Sequence, residues 1–308
     1  MDTRCVVLSG SAHLALAESI AKELGQPLGL SRQEPFPDGE LHIEVQEEVR
    51  GKDVYLVQPL GPPVGENLLE LLLLADACRR AGAERLTAVV PYLGYARQDR
   101  RVHGQEPVSA RVIADLIRTT GIERVVTVDM HTAALEGMFS VPIEHLSAMS
   151  VLVEVARPFV TLDSVIVSPD LGGTKLAERY AQQLGLPVAI VRKARLTGKD
   201  VCTLGIVGDV SGRAILLVDD MISTGGTVVA AIRALLAAGC QPEISVIATH
   251  ALFVGPAVER LQPLPIRRFL TTNSLLLAHQ LPLPVQVVNL GPLLAATIAR
   301  MHGAAPSA

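Results

Sequence analysis

The sequence predicts an α/β protein with mainly parallel sheets. Short apolar runs alternate with amphipathic helical stretches along the chain, glycines stand just after most of the helical stretches, and the connections are short. Cys5–Leu8 reads as the first strand, and Leu14–Leu24 as a helix closed by Gly25. Val54–Gln58 is a strand, Gly65–Ala81 a helix closed by Gly82, and Leu86–Pro91 a strand. Ser109–Thr119 is a helix closed by Gly121, followed by strands at Arg124–Val128 and Ser164–Val167. Lys175–Leu184 is a helix closed by Gly185, leading to strands at Val188–Val191 and Ala214–Val218. Thr227–Ala238 is a helix closed by Gly239, then come strands Glu243–Ala248 and Val285–Val288 and a helix at Pro292–Met301. Glycine after a helix supplies the left-handed residue that ends it. Glu123–Met130 (ERVVTVDM) echoes Arg213–Met221 (RAILLVDDM), which suggests a duplicated domain with a boundary near Ser147–Val151.

The chain has 308 residues, 49% of them hydrophobic, and no Trp, so two ordinary domains can be packed from Ala, Val, Leu and Ile. A net charge of −4 argues against a duplex nucleic-acid partner, and any anionic ligand must be held by a local basic cluster. Cys5, Cys78, Cys202 and Cys240 are scattered, which speaks against a thiolate metal site or a disulfide framework. Met1–Arg4 leads straight into a strand, so no signal peptide and a cytoplasmic location are expected. The uncharged run Phe269–Ala299 is broken by Pro282, Pro284, Gly291 and Pro292 and reads as strand, loop and helix, with no membrane contact. Gly198-Lys199 is followed by Asp200, so there is no Walker A sequence, and no GxGxxG occurs.

The most informative stretch is LLVDDMISTGGTV, residues 216–228. An apolar strand ends in Asp219 and Asp220, then turns through Ser223, Thr224, Gly225, Gly226 and Thr227 into a helix. Loop amides and a helix N-terminus bind phosphate, glycines let the backbone approach, and the acids can reach sugar hydroxyls or a metal ion. Tyr95–Arg101 follows another strand and places Arg97, Gln98 and Asp99 where ligands bind in open α/β sheets; arginine there suits phosphate, although such a run taken alone reads slightly better as a solvated loop. His131 follows Asp129 at a third strand end and could take Mg²⁺, touch a phosphate or be structural. Asp170, in SPDLGG, is placed for a metal or sugar contact, or simply caps the next helix. Lys193 and Arg195 open a segment whose continuation, Leu196–Leu204, reads as a mobile loop; cations there would neutralise a phosphoryl group. Phe36, Asp38 and Glu40 surround a Pro/Gly turn that taken alone reads as a surface turn.

In this order, FPDGE, PYLGYARQDR, DMH, SPDLGG, KAR, GDVSG and VDDMISTGGT make the chain resemble the ribose-phosphate diphosphokinases (PRPP synthetases) over nearly its whole length. VDDMISTGGT alone is shared with the type I phosphoribosyltransferases; the FPDGE and YARQDR segments separate the two groups. The resemblance implies two tandem type I phosphoribosyltransferase-like domains, residues 1–148 and 149–290, with a C-terminal helix at 291–303 returning to the first. It implies transfer of the diphosphoryl group of ATP to ribose 5-phosphate, giving PRPP for nucleotide, His and Trp biosynthesis, and AMP, with Mg²⁺ required. By resemblance, Ser223–Thr227 would hold the 5-phosphate and Asp219 and Asp220 the ribose hydroxyls. His131 and Asp170 would ligate Mg²⁺, Arg97, Gln98 and Asp99 would contact ATP, and Lys193 and Arg195 would stabilise the transferring group. Phe36, Asp38 and Glu40 would form part of an adenine pocket completed by a neighbouring subunit, which implies a homo-oligomer, at least a dimer and often a hexamer. Pro37, Ser223 and Ala194 depart from many bacterial members, which have Ser, Asp and Arg there. The competing readings are a non-catalytic regulatory homologue and a transferase that consumes PRPP.

Overall fold

The computed structural model describes residues 5–195, 201–277 and 280–303, with side chains except those of residues 193–195 and 201–204. β1 (Cys5–Ser9) leads into α1 (Leu14–Glu23). β2 (Ser31–Pro35) and β3 (Leu41–Val45) pair as an antiparallel hairpin, and β4 (Asp53–Val57), α2 (Val64–Arg80) and β5 (Arg85–Val89) follow. Then come α3 (Ser109–Thr119), β6 (Arg124–Val128) and β7 (Ile143–Leu146). Among the described residues, β1, β4, β5, β6 and β7 form a parallel five-stranded sheet in that order.

Period-2 alternation sorts the side chains of this sheet. Val54, Leu56, Leu86 and Ala88 join a core with Leu71, Leu74, Ile113 and Ile117 of α2 and α3. Every residue of β4 is buried, as expected for a strand covered on both faces.

The chain continues through α4 (Met149–Ala156), β8 (Ser164–Ser168), α5 (Thr174–Leu184), β9 (Val188–Arg195) and β10 (Val201–Val207). It ends with β11 (Ala214–Ile222), α6 (Gly226–Ala237), β12 (Ile244–Ala251), α7 (Ala257–Leu261), β13 (Ile266–Thr272), β14 (Val285–Val288) and α8 (Gly291–Gly303). The second sheet has the order β10-β9-β8-β11-β12-β13-β14, parallel except for β10. Val165, Val167, Leu217 and Val246 centre its core under Ile232 and Leu235 of α6.

The chain divides into two compact units. One takes residues up to Ser147, Ser274–Leu276 and residues from Asn289 on; the other takes Ala148–Asn273 and Leu277–Val288. In the first unit α8 packs on α1: Asn289 Nδ2 donates to Ser19 Oγ over 2.8 Å, and a Cβ on Gly291 would stand 2.1 Å from that oxygen. Glycine is therefore needed for α8 to begin so close to α1.

The structure adds elements that periodicity did not reveal: β2, β3, β7, β10, β13, α4 and α7. The reading of Leu196–Leu204 as a loop changes in part. Residues 196–200 lie outside the described residues, but 201–204 belong to β10, paired antiparallel with β9 at the sheet edge. Cys5, Cys78 and Cys240 are unbridged. Among the described residues, no helix is long and apolar enough to cross a membrane.

Candidate active site

In the second unit β8 and β11 are hydrogen-bonded neighbours, yet their connections run opposite ways. α5 takes the chain from β8 outward to β9, and α6 takes it from β11 outward to β12. Such a reversal opens a crevice beyond the carboxyl ends of the two strands, where open α/β sheets bind ligands. Asp170 stands just past β8; Asp219 and Asp220 lie in the last part of β11, beyond its final partner in β8, Val167.

Asp170 Oδ1 accepts from the backbone N–H groups of Gly172 (2.9 Å) and Gly173 (3.3 Å), so the carboxylate organises its own turn. A Cβ on Gly173 would stand 2.8 Å from Ser168 Oγ, which explains that glycine. Asp219 Oδ1 accepts from the Asp220 N–H over 2.9 Å. Asp219 retains some solvent-accessible surface, but protein surrounds most of it. Burial pushes its carboxyl well above the usual carboxylate range, and the charges of Asp220 and Asp170 add to the rise. Asp219 therefore feels both neighbouring acids, and a cation or a hydroxyl donor would relieve it.

The loop from Ser223 to Thr227 follows β11. Gly225 caps α6 in the left-handed region (φ 74°), and Leu261 of α7 lies beneath it, 3.1 Å from where a Cβ would be. No acid stands in the first turn of α6, whose leading N–H groups lack helical acceptors. Those amides, with the exposed hydroxyls of Thr224 and Thr227, are donors of the kind that can hold an anion. Arg260 Nη1 donates to the Thr224 carbonyl over 3.3 Å; nothing in the loop sequence pointed to this residue, 36 positions away.

In the first unit, Arg97, Gln98 and Asp99 follow β5, and His131 follows the adjacent strand β6. A Cβ on Gly94 would stand 2.7 Å from the Leu60 carbonyl, and Tyr95 adopts φ 62°, so the chain turns tightly before the basic loop. Gln98 Oε1 accepts from Ser109 Oγ (2.6 Å) at the start of α3, while Arg97 is exposed. Asp129 adopts φ 37°. The buried Met130 N–H donates to His145 Nε2 over 3.0 Å, and His145 Nδ1 faces Glu136 Oε1 at 3.3 Å. That pattern puts the proton on Nδ1 and braces the turn that presents the exposed His131.

Phe36, Asp38 and Glu40 form the turn of the β2–β3 hairpin, away from those strand ends along the chain. The Phe36 N–H donates to the Glu40 carbonyl (2.7 Å), the Glu40 N–H donates to Asp38 Oδ1 (3.1 Å), and the 47% exposed Phe36 ring lies tilted against His42, centroids 5.2 Å apart. The hairpin is tied to the end of β1 because Ser31 Oγ and Gln33 Nε2 both donate to the Ser9 carbonyl. Lys193 and Arg195 fall in the last residues of β9, next to β8; their side chains lie outside the described residues.

The family model of the N-terminal domain of ribose phosphate pyrophosphokinase matches residues 5–121, and that of the phosphoribosyl transferase domain matches residues 159–263. A ribose-phosphate pyrophosphokinase of Gloeobacter violaceus is 41% identical over 98% of this chain and 91% of its own length. The chain belongs to the ribose-phosphate pyrophosphokinase family. Another member, from Rhodopirellula baltica, is 43% identical over 96% of this chain and 95% of its own. The crystal structure of phosphoribosylpyrophosphate synthetase from Mycobacterium smegmatis superposes with a TM-score of 0.91 at 36% identity, covering 97% of this chain and 99% of that one. Each of the two family models falls within one of the two units, and the phosphoribosyl transferase match includes Asp170, Asp219, Asp220 and the Ser223–Thr227 loop.

Proposed function

We infer that the protein is a ribose-phosphate diphosphokinase, transferring the β,γ-diphosphoryl group of ATP to the 1-hydroxyl of ribose 5-phosphate. The observation that carries the reading at the site is the β8–β11 crevice, where an anion cradle lies beside carboxylates that need a positive or hydroxylic partner. A phosphorylated sugar offers both ends: a dianion for Ser223–Thr227 and vicinal hydroxyls for Asp219 and Asp220.

The 1-hydroxyl oxygen attacks the β-phosphorus of ATP in line. A C1–O–Pβ bond forms, the Pβ–O bond to the α-phosphate breaks, the bonding pair leaves on AMP, and the hydroxyl proton passes to solvent. Catalysis of this kind is chiefly alignment and charge neutralisation. Arg97, Gln98 and Asp99 hold the triphosphate, Lys193 and Arg195 meet the negative charge of the diphosphoryl group in flight, and Phe36 stacks on adenine with Asp38 and Glu40 at its edge. A neighbouring subunit completes that pocket in a dimer-based homo-oligomer working in the cytoplasm, on small-molecule substrates and without nucleic acid or membrane.

Mg²⁺ fits the oxygen-rich donor set. Among the described residues no group of three His, Cys, Asp or Glu forms a ready cage, but Mg²⁺ is commonly held by one or two carboxylates plus substrate phosphates. We assign metal ligation to Asp170 in the second unit and to His131 in the first, and a bound Mg²⁺ would neutralise phosphate charge.

AMP release from ATP, Mg²⁺ and ribose 5-phosphate tests the reading, and silence of the purified protein overturns it. Lys193→Ala should lower kcat far more than it raises the KM for ribose 5-phosphate; equal effects would remove Lys193 from the transition-state role.

A further inference from the structure

We propose that Arg260 is a positioning residue that sets the affinity for the 5-phosphate by fixing the peptide between Thr224 and Gly225. The proposal deepens the reading above and rests on it for the identity of the anion. Two consecutive residues at the end of α7 grip the loop. Leu261, fully buried, lies beneath the α-carbon of Gly225, and Arg260 Nη1 donates to the Thr224 carbonyl over 3.3 Å. The same guanidinium nitrogen lies 3.8 Å from where a Cβ on Gly226 would be, so it flanks the loop over consecutive residues.

In a trans peptide the carbonyl oxygen and the following N–H point in opposite directions. A guanidinium that draws the Thr224 carbonyl to its own side therefore turns the Gly225 N–H to the other. Gly225 is held in the left-handed region (φ 74°), where a lone loop would exchange between orientations, and α7 selects one of them. The guanidinium has five N–H donors, and among the described residues the Thr224 carbonyl is its hydrogen-bond acceptor and no carboxylate pairs with it. Its full charge thus stays beside a loop that contains no Lys or Arg between Met221 and Val229. A fixed cation on the loop side biases an anion toward the cradle. Arg260 itself is exposed, which separates this role from a packing role.

The test compares wild type with Arg260→Gln and Arg260→Lys in three measurements: the KM values for ribose 5-phosphate and ATP, kcat, and the rise in melting temperature on adding ribose 5-phosphate alone. For Arg260→Gln the KM for ribose 5-phosphate should rise about tenfold, the magnitude of one lost charged hydrogen bond. The KM for ATP should hold within about twofold, kcat should fall less than that KM rises, and the ligand-free melting temperature should stay unchanged. Arg260→Lys, which keeps a charge and a donor, should recover part of the loss. An unchanged KM for ribose 5-phosphate overturns the proposal; so does a parallel rise in both KM values with a lowered melting temperature, the mark of a merely structural residue. Should the wild type release no AMP, the enzymatic reading fails by itself. The thermal shift with ribose 5-phosphate then decides on Arg260: a shift in wild type that Arg260→Gln weakens supports the proposal, and an equal or absent shift overturns it.

Discussion

Nδ1 of His302, in the last turn of α8, lies 2.7 Å from Oδ2 of Asp53, the first residue of β4. The same buried carboxylate is paired with Arg85 at the start of β5. Nearby, burial pushes the Tyr55 phenol far up. Asp53→Asn would leave Arg85 and His302 sharing a neutral partner. It should lower unfolding stability by about 2 kcal/mol in urea titration, with His302→Ala costing less because the Arg85 pair survives.

Asp219→Asn should make the protein more stable and less active at once. The Asp219 carboxyl is raised in the fold, so its contribution to stability is fully present below the unfolded carboxylate value and is lost as pH rises through the raised one. Melting temperatures measured across pH should therefore show the variant above wild type at neutral pH, with the gap closing below about pH 4. AMP formation should fall in the same variant. A wild type as stable as the variant at pH 8 would contradict the burial argument.

Gly225→Ala tests the loop. A side chain at φ 74° is strained, and Leu261 stands 3.1 Å from the new Cβ. The expected cost is about 1–2 kcal/mol in chemical denaturation, with a raised KM for ribose 5-phosphate and little change for ATP.

His145→Leu removes the acceptor of the buried Met130 N–H and should cost about 1–3 kcal/mol, with weaker ATP binding seen by calorimetry. His145→Gln can still accept that N–H and should recover most of both quantities. If the two variants behave alike, the bond to Met130 is not what matters.

Most parallel strands of both sheets were legible because each is a short apolar run, as Arg124–Val128 and Val285–Val288 show; β7 and β13 are the parallel strands that escaped, β13 because Arg267 and Arg268 interrupt its apolar run. The hairpin and the antiparallel edge escaped as well. β2 and β3 alternate half-buried and exposed residues, SRQEP and LHIEV, pair with each other and rest Ile43 and Val45 on the core without burying them fully. β10 pairs with β9 at an edge, and Gly205 interrupts its apolar run where the register shifts. At the site, Asp219, Asp220 and the loop stand together in sequence and could be read directly. The approach of Asp170 to them depends on β8 pairing with β11, a relation across about fifty residues that only the sheet order reveals. Arg260 and His145 act through backbone groups of other segments, which leaves no spacing to recognise.

α8 joins the first unit although the whole second unit precedes it in the chain. During synthesis, then, the N-terminal sheet must wait with the α8-binding surface of α1 bare while more than a hundred further residues are translated. Fragments that stop after β14 would carry this exposed surface permanently, so quality control in the cell has a ready means of telling a finished chain from an interrupted one.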